Sequence, residues 1–258
     1  MKVKRFHQYV LLEKGRANTA IVDFLKGDIF QVENEVLQKF ERGAYDEIPD
    51  FMKSLEEEGL ILELDEDTWI PGAPAELEED DDEVSIVLEL EEGVDLQLVM
   101  HKFRDVKLGK IVYYGKEAPP PILPFVELVR KDKNFEECLE AARVDSEFAE
   151  IEEDFYGFNR KFNSCWGQKM AVTADGKIKP CIHSGIEVGD LQKDDPAAVI
   201  EKMQEYWQIT KDKVEKCKDC ELRYACFDCR EIARREAGDL LAAPPYCQYD
   251  PYKGVWSE

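Results

Sequence analysis

Seven of the chain's eight cysteines fall in its last 94 residues and follow a fixed spacing: Cys165 and Cys181 as C-x15-C, then Cys217, Cys220, Cys226 and Cys229 as C-x2-C-x5-C-x2-C, then Cys247 alone. Thiolates two residues apart turn to the same side of a tight loop and meet on one ion or cluster. Two such pairs in tandem call for a fold built around an inorganic centre rather than an apolar core alone. Cys181 follows Asp175-Gly176-Lys177-Ile178-Lys179-Pro180, a hairpin turn and a short strand, so a rigid ribbon delivers that thiol. Zinc and iron–sulfur clusters take the same soft ligands, and spacing alone admits both.

Disulfides are the competing use of cysteine, and the rest of the sequence argues against them. The apolar runs at 9–12 and 240–243 are far shorter than the roughly 20 residues of a membrane helix. The start, MKVKRFHQYVLLEKG, carries neither a long apolar segment nor a small-residue cleavage site. The expectation is a cytoplasmic protein, whose reducing surroundings keep thiols free. With 34 Lys and Arg against 57 Asp and Glu, the net charge of −23 repels phosphate backbones and anionic lipid headgroups. No basic patch interrupts it, so no nucleic-acid or membrane partner is expected. The histidines His7, His101 and His183 are scattered, and no G-x-S-x-G, P-loop or Rossmann fingerprint occurs.

The 258 residues divide into four stretches, and the pattern predicts an α+β fold. Residues 1–70 read as a meander, with strands at 8–13, 19–24 and 29–32. A helix at 35–42 follows, N-capped by Asn34 and closed by Gly43. A second helix at 46–58 is stopped by Gly59 before a strand at 60–64. That order is winged-helix-like. Residues 71–83, PGAPAELEEDDDE, hold seven acidic residues and read as an exposed linker. In 84–150 we expect a short β/α region: strands at 84–90 and 110–114, helical patterns at 95–103, 122–129 and 135–144, too little for a full barrel. Residues 151–258 form the cysteine-rich region.

The spacing C-x15-C with Gly176 five residues before the second Cys, the run CKDCELRYACFDC and the late Cys247 resemble the SPASM domain, an auxiliary iron–sulfur domain of radical-SAM peptide-modifying enzymes. The usual run ends C-x5-C-x3-C; here it ends C-x5-C-x2-C. The stretches NRKFNSCWGQKMAVTADGKIKPCIHS and CFDCREIARREAGDLLAAPPYCQYDPYKGVW look closer still to the SPASM peptide maturases that accompany ATP-grasp enzymes, the grasp-with-spasm type. Those lack the radical-SAM triplet C-x3-C-x2-C, and so does this chain.

The resemblance implies two 4Fe-4S clusters. One would be held by Cys217, Cys220, Cys226 and Cys247, the other by Cys165, Cys181 and Cys229 with a fourth position open. An external ligand ranks first for that position, with Cys138 and His183 as alternatives. A lone Cys in a helical pattern is more often a small buried hydrophobe. The interleaving of Cys229 into the other site favours iron–sulfur, with zinc the alternative. Arg230, beside Cys229, can hydrogen-bond near a cluster sulfur or pair with Asp228 at the surface. Trp166, Phe227, Tyr249, Tyr252 and Trp256 are expected to shield the clusters.

The N-terminal stretch resembles the PqqD-like module that captures leader peptides of ribosomally made precursors. That likeness implies β-augmentation, a leader adding as a strand along Asp28, Ile29, Phe30, Gln31 and Val32, with Phe51 and Leu55 completing the groove. Phe51 and Leu55 equally suit the module's own core. Three functions are thereby in play. The first is an iron–sulfur accessory maturase working on a precursor peptide with an ATP-grasp ligase partner. The second is a peptide-modifying enzyme using an open iron, and the third a zinc-binding structural adaptor. Catalytic residues and oligomeric state are not legible.

Overall fold

Residues 10–33 alternate so that Leu12, Ile21 and Phe30 share one face of a sheet while Leu11, Val22 and Ile29 share the other, and both sets are apolar. The computed structural model, which describes residues 2–68, 70, 85–116, 127–143 and 151–257, uses both faces. A first strand, β1 (Lys2–Phe6), leads into a three-stranded antiparallel meander of β2 (Val10–Lys14), β3 (Asn18–Asp23) and β4 (Asp28–Glu33), with β3 central. Then come α1 (Asn34–Glu41), a 3-10 turn (Tyr45–Glu47), α2 (Pro49–Glu57) and β5 (Ile61–Asp65), which returns to pair antiparallel with β1. The inner face of the meander joins Leu37, Phe40, Met52 and Leu55 in one core. The outer face buries Leu11, Ala20, Val22 and Ile29 against Tyr156, Leu222, Tyr224 and Tyr249 of the C-terminal region. Hence five successive residues of β3 are buried, which a one-faced sheet would not allow.

Two local expectations are corrected. Asn34 is the first residue of α1 rather than its cap; its amide donates to the Gly15 and Arg16 carbonyls, both at 3.2 Å, and accepts from Thr19 Oγ1 at 2.7 Å, so it braces the β2–β3 turn. The helical pattern at 122–129 fails where it can be seen: Glu127–Lys131 is a strand. Trp69, the acidic stretch 71–83 and residues 122–126 lie outside the described residues.

The six-stranded sheet begins with β6 (Ile86–Glu91), followed by α3 (Leu96–Lys102), whose N-cap Asp95 accepts from the Leu98 amide at 3.0 Å. Next are β7 (Leu108–Tyr114), β8 (Glu127–Lys131), α4 (Glu136–Ala141), α5 (Glu153–Lys161), β9 (Lys169–Val172), β10 (Lys177–Lys179), β11 (Gly189–Asp190) and α6 (Pro196–Trp207). The chain closes with 3-10 turns at Lys211–Lys213 and Cys217–Asp219, then α7 (Arg230–Ala237) and the small hairpin of β12 (Tyr249–Asp250) and β13 (Val255–Trp256). Strand order is β11-β10-β9-β6-β7-β8, with β6 parallel to both β7 and β9. The ribbon carrying Cys181 therefore extends the sheet of the 84–150 stretch. One face, with Leu88, Ile111, Met170 and Ile178, packs on α3 and α6 through Val99, Phe103, Val199, Met203 and Trp207. The opposite face, bearing Val87, Glu89, Val112, Tyr114 and Lys169, looks onto the cysteines. No helix among the described residues is long and apolar enough to cross a membrane.

Candidate functional site

The cysteines separate into two groups. A cavity of about 450 Å³ is lined by Cys165, Cys181 and Cys229, and by Cys138 and His183 as well. Cys217, Cys220, Cys226 and Cys247 form the second group, near enough for their charges to interact. All eight thiols are free.

Short polar residues beside the cysteines fix the first group. Asn163 Oδ1 accepts from the amides of Cys165 (3.0 Å) and Trp166 (2.8 Å), and its Nδ2 donates to Asp228 Oδ2 at 3.3 Å. Ser164 Oγ accepts from the Asp228 amide at 2.7 Å, so the residues before Cys165 are fastened to the residue before Cys229. Behind Cys181, Glu89 Oε2 accepts from the Ile182 amide at 2.7 Å. Fully buried Glu231 accepts from Ser184 Oγ and the Gly185 amide, both at 3.3 Å, and from Arg234 and Arg235. Three separate loops are thus held at one cavity before any metal arrives, as ligand-orienting contacts require. Asn163, Ser164, Glu89 and Glu231 escaped the sequence reading; the polar pair directly before Cys165 was the available signal.

In the second group, Lys216 takes a left-handed φ of 65° immediately before Cys217, and its Nζ donates to the Cys247 carbonyl at 3.2 Å. Arg223 Nη1 donates to the Cys220 carbonyl at 2.7 Å. Arg230 is buried rather than at the surface. It pairs with Asp228 and donates to the carbonyls of Leu240 (2.9 Å) and Ala242 (2.8 Å), tying α7 to the segment leading to Cys247.

Electrostatics fit thiolate-held clusters. Burial pushes the Cys217 thiol up to about 12 and raises Cys181, Cys220 and Cys226 as well, so without metal these groups stay protonated. Cys229 donates to Cys165, which lowers the Cys165 thiol and raises that of Cys229. Each group also holds one lysine, Lys169 half-buried at the first and Lys211 buried at the second. Burial opposes the charge on Lys169, but Cys165 and Glu89 outweigh it; burial likewise opposes Lys211, and Cys226 and Asp228 outweigh it there. A cluster bound by several thiolates is a buried anion, and a buried ammonium beside it offsets that charge. Among the described residues the buried donors Trp166 Nε1 and Arg230 Nε find no hydrogen-bond partner, and cluster sulfurs accept such bonds. Trp166 packs among Cys165, Cys181 and Cys217, at the junction of the two groups. Among the described residues no three His, Cys, Asp or Glu side chains converge closely enough for a single metal ion.

Residues 165–221 match the SPASM family model, an iron-sulfur cluster-binding domain. The match implies that this region binds iron–sulfur. It spans Cys165, Cys181, Cys217 and Cys220, and the remaining cysteines of the pattern follow it. The chain is also 30% identical over 116 residues to the AdoMet-dependent heme synthase of Methanosarcina barkeri, an alignment covering 43% of this chain and 33% of that protein. It therefore spans about a third of the length of that curated relative.

Lys211→Met is expected to lower the reduction potential of an iron–sulfur centre bound by the second group. A unit charge within several Å at an effective dielectric near 20 is worth a few kcal/mol, a shift on the order of 100 mV for one electron. Potentiometric titration followed by electron paramagnetic resonance (EPR) checks it.

The predicted peptide edge is distributed differently. Among the described residues β4 pairs with β3 alone and stands at the edge of its sheet. Val32 and Leu55 are buried in the module's core, and half-buried Phe30 and Phe51 pack against it. Ile29 packs against the cysteine-rich region, and Gln31 Nε2 donates to Glu221 Oε1 at 2.6 Å while Trp256 Nε1 reaches Gln31 Oε1 at 3.4 Å. Asp28 is exposed at the strand's start.

Proposed function

We propose that this protein carries two 4Fe-4S clusters, one on Cys217, Cys220, Cys226 and Cys247 and one on Cys165, Cys181 and Cys229. In this reading it captures a ribosomally made precursor peptide by its leader and assists the peptide's maturation in the cytoplasm, with an ATP-grasp ligase as modifying partner. The observation that carries the reading is the seating of an edge-stranded module directly on the cysteine-rich region, so that a peptide added along β4 runs beside a cluster rather than at the end of a tether. The N-terminal order of strands and helices, winged-helix-like with an extra β1, suits a PqqD-like role. The clusters supply redox or electrostatic chemistry when bound. What the chain's own residues do is orient the ligands, exclude water and hold the peptide's backbone.

Backbone geometry supports β4 as the receiving edge. The Asn34 amide bonds the Ala17 carbonyl at 3.1 Å, continuing the β3–β4 ladder. Antiparallel pairs alternate, so counting back from that bond directs the amides of Phe30 and Val32 toward β3 and those of Ile29 and Gln31 outward. Ile29→Pro or Gln31→Pro removes an outward donor while sparing the β3 ladder. Each is expected to weaken leader binding at least about tenfold, the equivalent of one net hydrogen bond to the backbone. Calorimetric titration of a leader peptide checks it, and unchanged affinity at both positions refutes the edge.

A second reading, in which the chain itself modifies the peptide, draws on the cavity, whose wall combines Glu89, Lys169, Tyr114 and His183 with the cysteines. Anaerobic incubation of the protein alone with its peptide separates the two: a change in peptide mass without a ligase excludes a purely accessory role.

A further inference from the structure

The C-terminal pattern supplies only three thiols to the cavity of Cys165, Cys181 and Cys229. We propose that Cys138 is the fourth thiolate of the cluster held there, delivered by α4 on the same face of the sheet. The proposal rests on the reading of those three cysteines as ligands of one centre and completes it.

Three observations place Cys138 rather than another group at this position. It opens into the same cavity of about 450 Å³ as the other three thiols. On α4, Phe135, Cys138, Leu139 and Ala142 stand at helical spacing and pack as one apolar cluster with Cys165, Phe227, Cys229 and Ile232, so the thiol lies within the group that surrounds the other ligands. The helix is also held from both ends of that group. Arg235 of α7 lies 3.9 Å from the Phe135 ring centroid, and the same guanidinium donates to the His183 carbonyl at 2.6 Å. α4, α7 and the loop after Cys181 are thereby one assembly.

The rival ligand is His183, which also lines the cavity. Its ring is wedged against Tyr114 and Phe135, with centroids 6.2 and 5.5 Å away, and its role is to pack that wall. Four like thiolates also match the soft donor set that iron–sulfur clusters take. On binding, Cys138 gives up its proton to solvent and its sulfur forms the bond to iron, with no change in oxidation state. The consequence is a closed centre, which stitches the 84–150 stretch to the C-terminal region and leaves no iron free for a substrate.

The test uses the full chain, reconstituted anaerobically. In the loaded protein, iodoacetamide is expected to label Cys138 at least about tenfold more slowly than after iron is chelated, read by mass spectrometry. Cys138→Ala and Cys138→Ser are expected to bind the cluster but to lose one of its four irons on mild oxidation, giving the EPR signal of a 3Fe-4S centre that wild type and His183→Ala do not give. Alanine suits a helix, so the fold survives. Equal labelling in loaded and chelated protein, or Cys138 variants with wild-type spectra, would overturn the proposal. Cys165→Ala tells the two readings apart: if it keeps full iron content, the three-cysteine assignment itself is wrong, whereas iron loss there with freely labelled Cys138 sinks only the fourth ligand.

Discussion

Cys220→Ala is expected to halve the iron and sulfide content of anaerobic protein and to unfold much of the region after residue 208. Among the described residues, 208–229 contain only two three-residue 3-10 turns, so regular hydrogen bonding gives this segment little stability of its own. It nevertheless buries Lys211, Asp228, Glu221 and three cysteines, with Cys220 half-buried beside them. Polar side chains are buried this way only when something organises them. Metal binding supplies that organisation, and binding free energy becomes folding free energy, on the order of 10 kcal/mol for structural metal sites in small domains. Losing one ligand of four forfeits much of it. The expected result is a lowered melting temperature by circular dichroism, with Tyr224 and Tyr249 newly exposed because they pack on the same segment. A variant with wild-type iron content would refute the assignment of Cys220 as a ligand. Its neighbour on the other side of the division, Cys229, gives a control: Cys229→Ala should also lose about half the iron, but with the EPR signature of the opposite centre.

How much of this was legible in the sequence depends on the range of the interaction that fixes each residue. The hairpin before Cys181 and the helix at 95–103 are local, made by Gly176 with φ 80° and by the Asp95 cap, and they were read from the residues alone. β1 was missed because Lys2–Phe6 carries three basic residues in five and owes its strand conformation to β5, some sixty residues away. Asn34 has the chemistry of a cap, yet the turn at Gly15 and Arg16 competes for its amide and wins. The strand at Glu127–Lys131 fails to alternate, and pairing with β7 overrides its helical pattern. Within the candidate site, the separation of the cysteines into two groups was implied by the family likeness. Cys138 was one of the alternatives for the open position, and what brings it to the cavity, beside residues that follow it by 27 or more positions, is the parallel register of β6, β7 and β8 and the turn into α4, which no local signal announces.

Arg223→Met is expected to loosen the N-terminal module from the cysteine-rich region, and its size follows from burial. Arg223 forms an ion pair with Glu13 of β2, and the two side chains are only 13% and 11% exposed. The same guanidinium donates to the carbonyls of Lys14 at 3.0 Å and Cys220 at 2.7 Å, so one residue holds the edge of the meander and the backbone of a proposed ligand together. Removing it leaves the buried Glu13 carboxylate with the Tyr156 hydroxyl, at 3.3 Å, as its hydrogen-bond partner among the described residues and Arg160 as the remaining nearby cation. An orphaned buried charge costs about 3–5 kcal/mol. For a chain of this size that is a fall on the order of 10 °C in melting temperature. The double variant Glu13→Gln/Arg223→Met removes the stranded charge and should recover most of the loss, because a neutral amide still satisfies Tyr156. Iron release to a chelator separates the two jobs of the residue. The single Arg223 variant and the double variant should both lose iron faster than wild type, since each lacks the bond to the Cys220 carbonyl, while Glu13→Gln alone should not. If the double variant regained stability and also held iron like wild type, the brace on Cys220 would have no part in retaining the cluster, and the link between module docking and the metal centre would rest on the apolar packing and on the remaining hydrogen bonds, such as Gln31 to Glu221.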